Sequence, residues 1–560
     1  MYKSILAKLA IFALVLLSPN TYSQAPVFQW AWAIGQAPWD ESNALASDQS
    51  GNIYASGTYY GFVDFDPGPG VVNLDSMGMY VTKLDLNDNL VWASGFRIIS
   101  GGAKANDIAV DAHGNVYVTG TFDGTTDFDP GPGVFALSAS PSSNDFFVVK
   151  LNPTGALAWA IRIGGSGDED GSSIAVDAFG SVYATGEFQG VVDFDPGPAT
   201  SNLMYDGIFI LKLDSAGNFK WANKVGSSND WSSAISVDHS GNSYIVGYFY
   251  NGSDFDPGPG AHFLYSNGLT DMFALKLDSS GNYMWAKAFG STGSDYALDV
   301  YVDAYGNSYS TGHFESVVDF DPGPGIYYLV DGTAFVLKLD SAGNFLLARS
   351  FGSPGYVVGN AITVSTTGEI FASGRFFGTC DFDPDTTSNI ITATGTDDIF
   401  VSKLDSSGIF KWVKTAWGTD TLTHASVRSS VLNSSGELYI AGTFDQLDLV
   451  LDTIALTNPY IGLTGGYIAK LGTQSPNGIE SVNNSTTCTV YPNPARSELY
   501  VRCKQDMSLS GIEIYNLLGE LVLKRKPIVD GLDISNLKTG IYFIKVLSEK
   551  GISVFRFVKN

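Results

Sequence analysis

Cysteine and histidine are scarce in this chain, three and five in 560 residues, which leaves little material for a His- or Cys-bound metal centre. His113 and His239 fall in short turns, and His262, His313 and His424 lie in three different stretches with no shared partner in sequence. Basic residues are few as well: 31 Lys and Arg stand against 57 Asp and Glu, a formal net charge of −26. The imbalance is concentrated in the middle of the chain. From Thr486 onward there are 11 basic and 7 acidic residues, and the first 23 residues hold only Lys3 and Lys8, so the middle carries 18 basic against 50 acidic. So acidic a body repels nucleic acid and anionic membranes and favours cations or cationic partners. No P-loop, no G-x-S-x-G elbow and no H-E-x-x-H occurs. Beyond the N-terminus, no segment reaches the roughly 18 apolar residues of a membrane-crossing helix.

What is present begins with "MYKSILAKLAIFALVLLSPNTYSQA": two lysines, an apolar run from Leu9 to Leu17, then a polar stretch. That is the layout of a cleavable secretory signal over residues 1–23, the run being too short for a stable span. No cysteine follows it, which argues against a lipoprotein anchor.

The dominant feature is repetition. "DFDPG" recurs at Asp64, Asp127, Asp193, Asp254 and Asp319, and as "DFDPD" at Asp381, with gaps of 63, 66, 61, 65 and 62 residues. A period of that size signals a repeat architecture. Each repeat holds four runs rich in Val, Ile and aromatics, bounded by Gly, Asn and Asp, which read as strands. "DAHGN"-type and "NPTGA"-type turns join the first run to the second and the third to the fourth: Asp accepts a backbone hydrogen bond two residues on, and Gly tolerates positive φ. First runs end at Asp48, Asp111, Asp177, Asp238, Asp303, Ser365 and Asn433, making seven. The seventh repeat lacks a fourth run, whereas an orphan one, "FQWAWAIG", stands at the other end, with Trp32 matching Trp159, Trp221 and Trp285. These counts predict an all-β fold over residues 24–471, a seven-bladed β-propeller closed by its N-terminal strand, which also removes an open sheet edge.

"GSTGSDYALDVYVDAYGNSYSTGHF", ending at Phe314, resembles the bacterial seven-bladed propeller (SBBP-type) repeat, and the likeness runs from about Phe28 to Leu471. It implies the fold and little about function, since propellers host many activities.

Candidate site residues fall in two groups. In each DFDPG motif the second Asp opens a D-P-G turn, the Phe points to the opposite side and packs inward, and the first Asp has no turn role. The paired carboxylates, Asp64 with Asp66, Asp127 with Asp129, Asp193 with Asp195, Asp254 with Asp256, Asp319 with Asp321 and Asp381 with Asp383, share a face and with backbone carbonyls suit Ca²⁺. A repeated structural turn is the competing reading. The second group lies between repeats, where Asp40, Glu169, Asp230 and Asp295 precede four of the first strands, beside Trp39, Trp231 and Tyr296. Carboxylates mixed with aromatics suit sugars, either for binding or as a carboxylate pair for glycosidic chemistry; blade packing is the bland alternative.

From Thr486 the repeat stops and short alternating strands predict a small Ig-like β-sandwich over residues 486–560, behind a linker at 472–485. "YPNP" at Tyr491, Pro492, Asn493 and Pro494, "IYNLLGE" ending at Glu520 and "LKTGIYFIKV", which contains Gly540, resemble the type A C-terminal sorting domain of the type IX secretion system of Bacteroidota. The resemblance implies export across the outer membrane, with the secretion machinery as partner. Cys488 and Cys503 flank a hairpin-like segment and would form a disulfide in an exported protein, and Cys380 reads as a small buried hydrophobe. The expectation is therefore a secreted or surface protein that binds a glycan or protein on an acidic loop face, with a polysaccharide hydrolase or lyase, or a calcium-stabilised adhesion module, as alternatives.

Overall fold

The computed structural model describes residues 25–560 except 35–38, 331–332, 386–387, 419–423, 446–447, 459–462, 473–487, 492–495, 504–508, 517–520, 527–531, 539, 549–550 and 560. The expected signal, most of the linker, and Pro492 to Pro494 thus lie outside the described residues. The chain divides into two compact units, one ending at Gly472 and one beginning at Thr473.

The described residues hold strands and no helix. In the first unit antiparallel groups of four strands recur along the chain, two of them extended into six- and seven-stranded sheets by hairpin strands. The second sheet shows the pattern: Ala103–Val110, Val116–Phe122, Asp145–Leu151 and Leu157–Ile163 lie side by side in chain order. The first strands of successive sheets are Glu41–Ser47, Ala103–Val110, Glu169–Val176, Trp231–Val237, Tyr296–Val302, Pro354–Val364 and Ala425–Leu432. Each packs against the next, and the last packs against the first. In the seventh sheet the fourth position is filled by Val27–Ile34, antiparallel to Gly465–Gly472, with Ala31 opposite Ala469 and Trp32 opposite Ile468. The arrangement is propeller-like and all-β.

The turns follow from their residues. Asp48 Oδ1 accepts the N–H groups of Ser50 (2.9 Å) and Asn52 (3.0 Å), and Gly51 sits at φ 82°. Asp111, Asp177, Asp238 and Asp303 repeat the contact. The second Asp48 oxygen accepts the Tyr54 hydroxyl at 2.9 Å, and a third-strand lysine, Lys83, lies 5.1 Å above that tyrosine ring. The same tyrosine and lysine recur at Tyr117 with Lys150, Tyr183 with Lys212, Tyr244 with Lys276 and Tyr309 with Lys338. A buried phenol is thereby satisfied at one end and covered by a cation–π contact at its face.

Each first strand carries a β-bulge near its start, after Ser42, Ala105, Gly171, Ser232, Ala297, Gly359 and Val427. The partner strand bears a glycine there because the bulged backbone presses in: a Cβ on Gly57, Gly120, Gly186, Gly247, Gly312, Gly374 or Gly442 would stand 1.8–2.0 Å from a first-strand carbonyl oxygen.

In the second unit, Cys488–Tyr491, Glu498–Cys503 and Leu532–Asp533 form one sheet, and Leu521–Arg525, Leu509–Asn516, Gly540–Ser548 and Gly551–Lys559 another. Leu499 and Leu532 of the first share a core with Ile512, Ile514, Ile544 and Val546 of the second. Backbone pairing sets Cys488 opposite Cys503, the register a bridging disulfide needs.

Candidate functional site

The DFDPG segments lie between second and third strands and form small hairpins of their own, such as Phe62–Asp64 with Asn73–Asp75. The middle Phe is fully buried in all six, at positions 65, 128, 194, 255, 320 and 382. The second Asp accepts an N–H two residues on, as Asp66 does from Gly68 at 2.7 Å. The first Asp does have a structural role, contrary to the expectation from sequence. Asp64 Oδ1 accepts from Asp66 N at 3.1 Å and from Val72 N at 2.9 Å, closing the loop across its base. Asp127, Asp193, Asp254, Asp319 and Asp381 make the same double contact. Local spacing hid it, because the second donor is eight residues away. Among the described residues no group of three or more His, Cys, Asp or Glu stands together as a metal site. Calcium at these loops would therefore depend on backbone carbonyls for much of its shell.

The inter-sheet acids are clasps as well. Asp40, Glu169, Asp230 and Asp295 are buried, and each holds the backbone twenty residues on: Tyr60 N at 2.8 Å, the amide of Gln189, Tyr250 N at 3.0 Å and Glu315 N at 2.8 Å. Burial pushes Glu169 up to about 7 and raises Asp295 too. In the second and seventh repeats the clasp is reversed: Asp123 accepts from Gly102 N at 2.6 Å and Asp445 from His424 N at 2.8 Å. The sixth repeat has Val357 and Phe377 in these places and no acid in either.

The positions that differ from sheet to sheet lie one residue further along the chain. The residue two places before each bulge pairs with the residue after the glycine: Glu41 with Thr58, Lys104 with Thr121, Asp170 with Glu187, Trp231 with Tyr248, Tyr296 with His313, Val358 with Arg375 and Ser426 with Thr443. They form a ring of equivalent positions, one pair to each first strand, since the first strands pack in a cycle. One side of the ring is ionic. Arg428 holds Glu41 through two 3.1 Å contacts, Lys104 lies 3.7 Å from the same carboxylate, and Asn106 donates to Asp170 at 3.1 Å. Burial, reinforced by Asp170, pushes Glu187 up to about 7.

The other side is aromatic. Trp231 stacks on Tyr248 (5.3 Å between ring centroids), Tyr248 meets Tyr296 edge to face (4.8 Å), Tyr296 stacks on His313 (6.5 Å), and His313 leans on Tyr356 (4.7 Å). Five rings from three sheets make one arc, with Trp231 39% and Tyr356 42% exposed. Trp231 and Tyr296 are thus brought together through Tyr248, which sequence reasoning missed, along with His313, Tyr356, Asp170 and Glu187. The signal was present: the residue after the glycine of Y-x-x-G, F-x-x-G in the sixth repeat, is Thr58, Thr121, Glu187, Tyr248, His313, Arg375 and Thr443, varying where its neighbours repeat. Trp39, 56% exposed, sits apart from the arc against Tyr60.

Residues 489–560 match the secretion system C-terminal sorting domain family. The protein is accordingly exported, secreted or displayed on the outer surface. Among curated proteins, an uncharacterized WD repeat-containing protein of Acanthamoeba polyphaga mimivirus is 21% identical over 514 residues, covering 76% of this chain. The chain spans 37% of that relative's length. Among solved structures, the Neurospora crassa Pan2 WD40 domain aligns over 81% of this chain and 99% of that one, with 9% identity and a TM-score of 0.35. PorZ of Porphyromonas gingivalis, described as an essential surface component of its type-IX secretion system, aligns over 93% of this chain and 82% of its own, with 11% identity and a TM-score of 0.22.

Proposed function

We propose that this is a seven-bladed, SBBP-type propeller, delivered to the cell surface by an Ig-like type IX sorting domain, that binds a glycan across its axial mouth. The cyclic packing of the first strands and the pairing of Val27–Ile34 with Gly465–Gly472 support the closed, seven-bladed count. One observation carries the glycan reading: among the described residues a five-ring arc interrupts an otherwise repeating pattern, while the equivalent positions of other sheets are charged. Aromatic faces take the apolar sides of sugar rings, while Asp170, Glu41 and Arg428 offer acceptors and donors to hydroxyls. A protein ligand is the other outcome of the same test. An array of neutral, amino and uronic oligosaccharides probed with the full exported chain decides it: binding is expected, and Trp231→Ala should weaken it about tenfold or more. No binding to any glycan overturns the reading.

Cleavage of the bound glycan is a second reading with one specific observation behind it: Asp170 and Glu187 are cross-strand partners at the same mouth, with Glu187 held near 7. Product release abolished by Glu187→Gln, with binding retained, is its signature.

A further inference from the structure

We propose that the cleft between the fifth and sixth sheets is a subsite for one terminal pyranose, neutral or amino-bearing, of the glycan bound along the aromatic arc. The proposal rests on the glycan reading above and narrows it. The place is defined by a break in symmetry. Six repeats tie the inter-sheet link to the end of the second strand with an acid, from one side or the other; the sixth does neither. Its first strand begins instead at Pro354 and pairs outward, Pro354 with Cys380 and Tyr356 with Phe377, beyond the point where the other first strands start. Tyr356 is thereby carried to the rim, and a cleft of about 540 Å³ opens beside it. That volume lies within the range of small-molecule sites, roughly 300–1,000 Å³.

The lining is suited to one sugar ring. Tyr356 presents a half-exposed aromatic face, backed by the buried His313 ring. His313 is fixed by its neighbours, Nδ1 lying 3.4 Å from the Val357 carbonyl, and burial pushes its pKa down, so it supplies a neutral wall. Thr333 Oγ1 accepts the Val357 N–H at 2.7 Å, which leaves its own proton to donate, and Ser316 and Ser353 add two more hydroxyls. Glu315 is an exposed carboxylate at the edge, its backbone clasped by Asp295 and its Oε2 accepting Ser294 N at 3.1 Å. A carboxylate acceptor beside a stacking ring favours hydroxyl and ammonium groups and repels a uronate. Arg375, the nearby cation, is already engaged by Asp397 at 3.0 Å.

The test is a calorimetric titration of the full exported chain with the oligosaccharides that the array finds bound, and with a hexagalacturonate. The expected result is binding of neutral or amino sugars and rejection of the uronate. Tyr356→Ala should weaken binding about tenfold, Tyr356→Phe should preserve it, and Glu315→Gln should let the uronate bind, all with an unchanged unfolding midpoint. If Trp231→Ala abolishes binding while Tyr356→Ala and Glu315→Gln change nothing, the subsite is wrong and the glycan reading stands. If the wild type prefers the uronate, the subsite again falls alone. If no glycan binds, both fall.

Discussion

The DFDPG hairpins and the proposed mouth, at the starts of the first strands, belong to the same sheets, yet they are built on opposite rules. The hairpins repeat: the same Phe is buried six times and the same carboxylate closes the same eight-residue gap six times. The mouth does not repeat: at one equivalent position per sheet it holds Glu41, Lys104, Asp170, Trp231, Tyr296, Val358 and Ser426. Repetition here follows a mechanical demand common to every sheet. Variation at an otherwise regular site marks residues released from that demand, where a ligand can be recognised. The acids Asp40, Glu169, Asp230 and Asp295 belong on the mechanical side of this divide, and Trp231 and Tyr296, one residue further along, on the other.

The comparison can be broken most severely at a hairpin core. Phe255→Ala removes a fully buried ring and should cost about 3–5 kcal/mol in chemical unfolding, while the surviving native protein keeps the glycan affinity proposed above. A large loss of affinity at constant fold would erase the distinction. Gly247→Ala places a Cβ 2.0 Å from the Trp231 carbonyl oxygen, so the first strand must move. It should cost about 3 kcal/mol and, like Gly312→Ala against the Tyr296 carbonyl, weaken binding by displacing the arc.

Next in size, Asp254→Ala leaves the amides of Asp256 and His262 without their acceptor and should cost about 1–3 kcal/mol. Under the turn reading, millimolar Ca²⁺ leaves the unfolding midpoint of the wild type where EGTA leaves it. A rise with calcium that Asp254→Ala abolishes would install a metal at the loops instead.

A smaller effect is expected from pH. Glu169, Glu187 and Asp299 are all pushed up to about 7 in the folded state, chiefly by burial. The folded protein therefore holds protons that the unfolded chain, with ordinary carboxyls, releases between about pH 4 and 7. Their contribution is complete below that window and is lost as pH rises through 7, so the midpoint should be higher at pH 5.5 than at 7.5. Glu169→Gln should flatten the slope. The smallest effect lies in the second unit: oxidised, denatured protein should titrate one thiol, from Cys380, since backbone register pairs Cys488 with Cys503.

Much of this was legible beforehand. The spacing of Asp64, Asp127, Asp193, Asp254, Asp319 and Asp381, the D-x-x-G-N turns and the orphan strand around Trp32 are local signals, and local hydrogen bonding and alternation are what a sequence states openly. The role of Asp64 was not legible, because its second donor, Val72, is brought back only by the hairpin. Nor was the partnership of Trp231 with Tyr248, seventeen residues away, since it depends on register across a bulge. The sequence by itself determined the repeat, its four strands and its turns, because each is set by residues a few positions apart. Which variable residues meet depends on the fold: neighbouring first strands must pack side by side before Trp231, Tyr296 and Tyr356, drawn from three repeats, become a single surface.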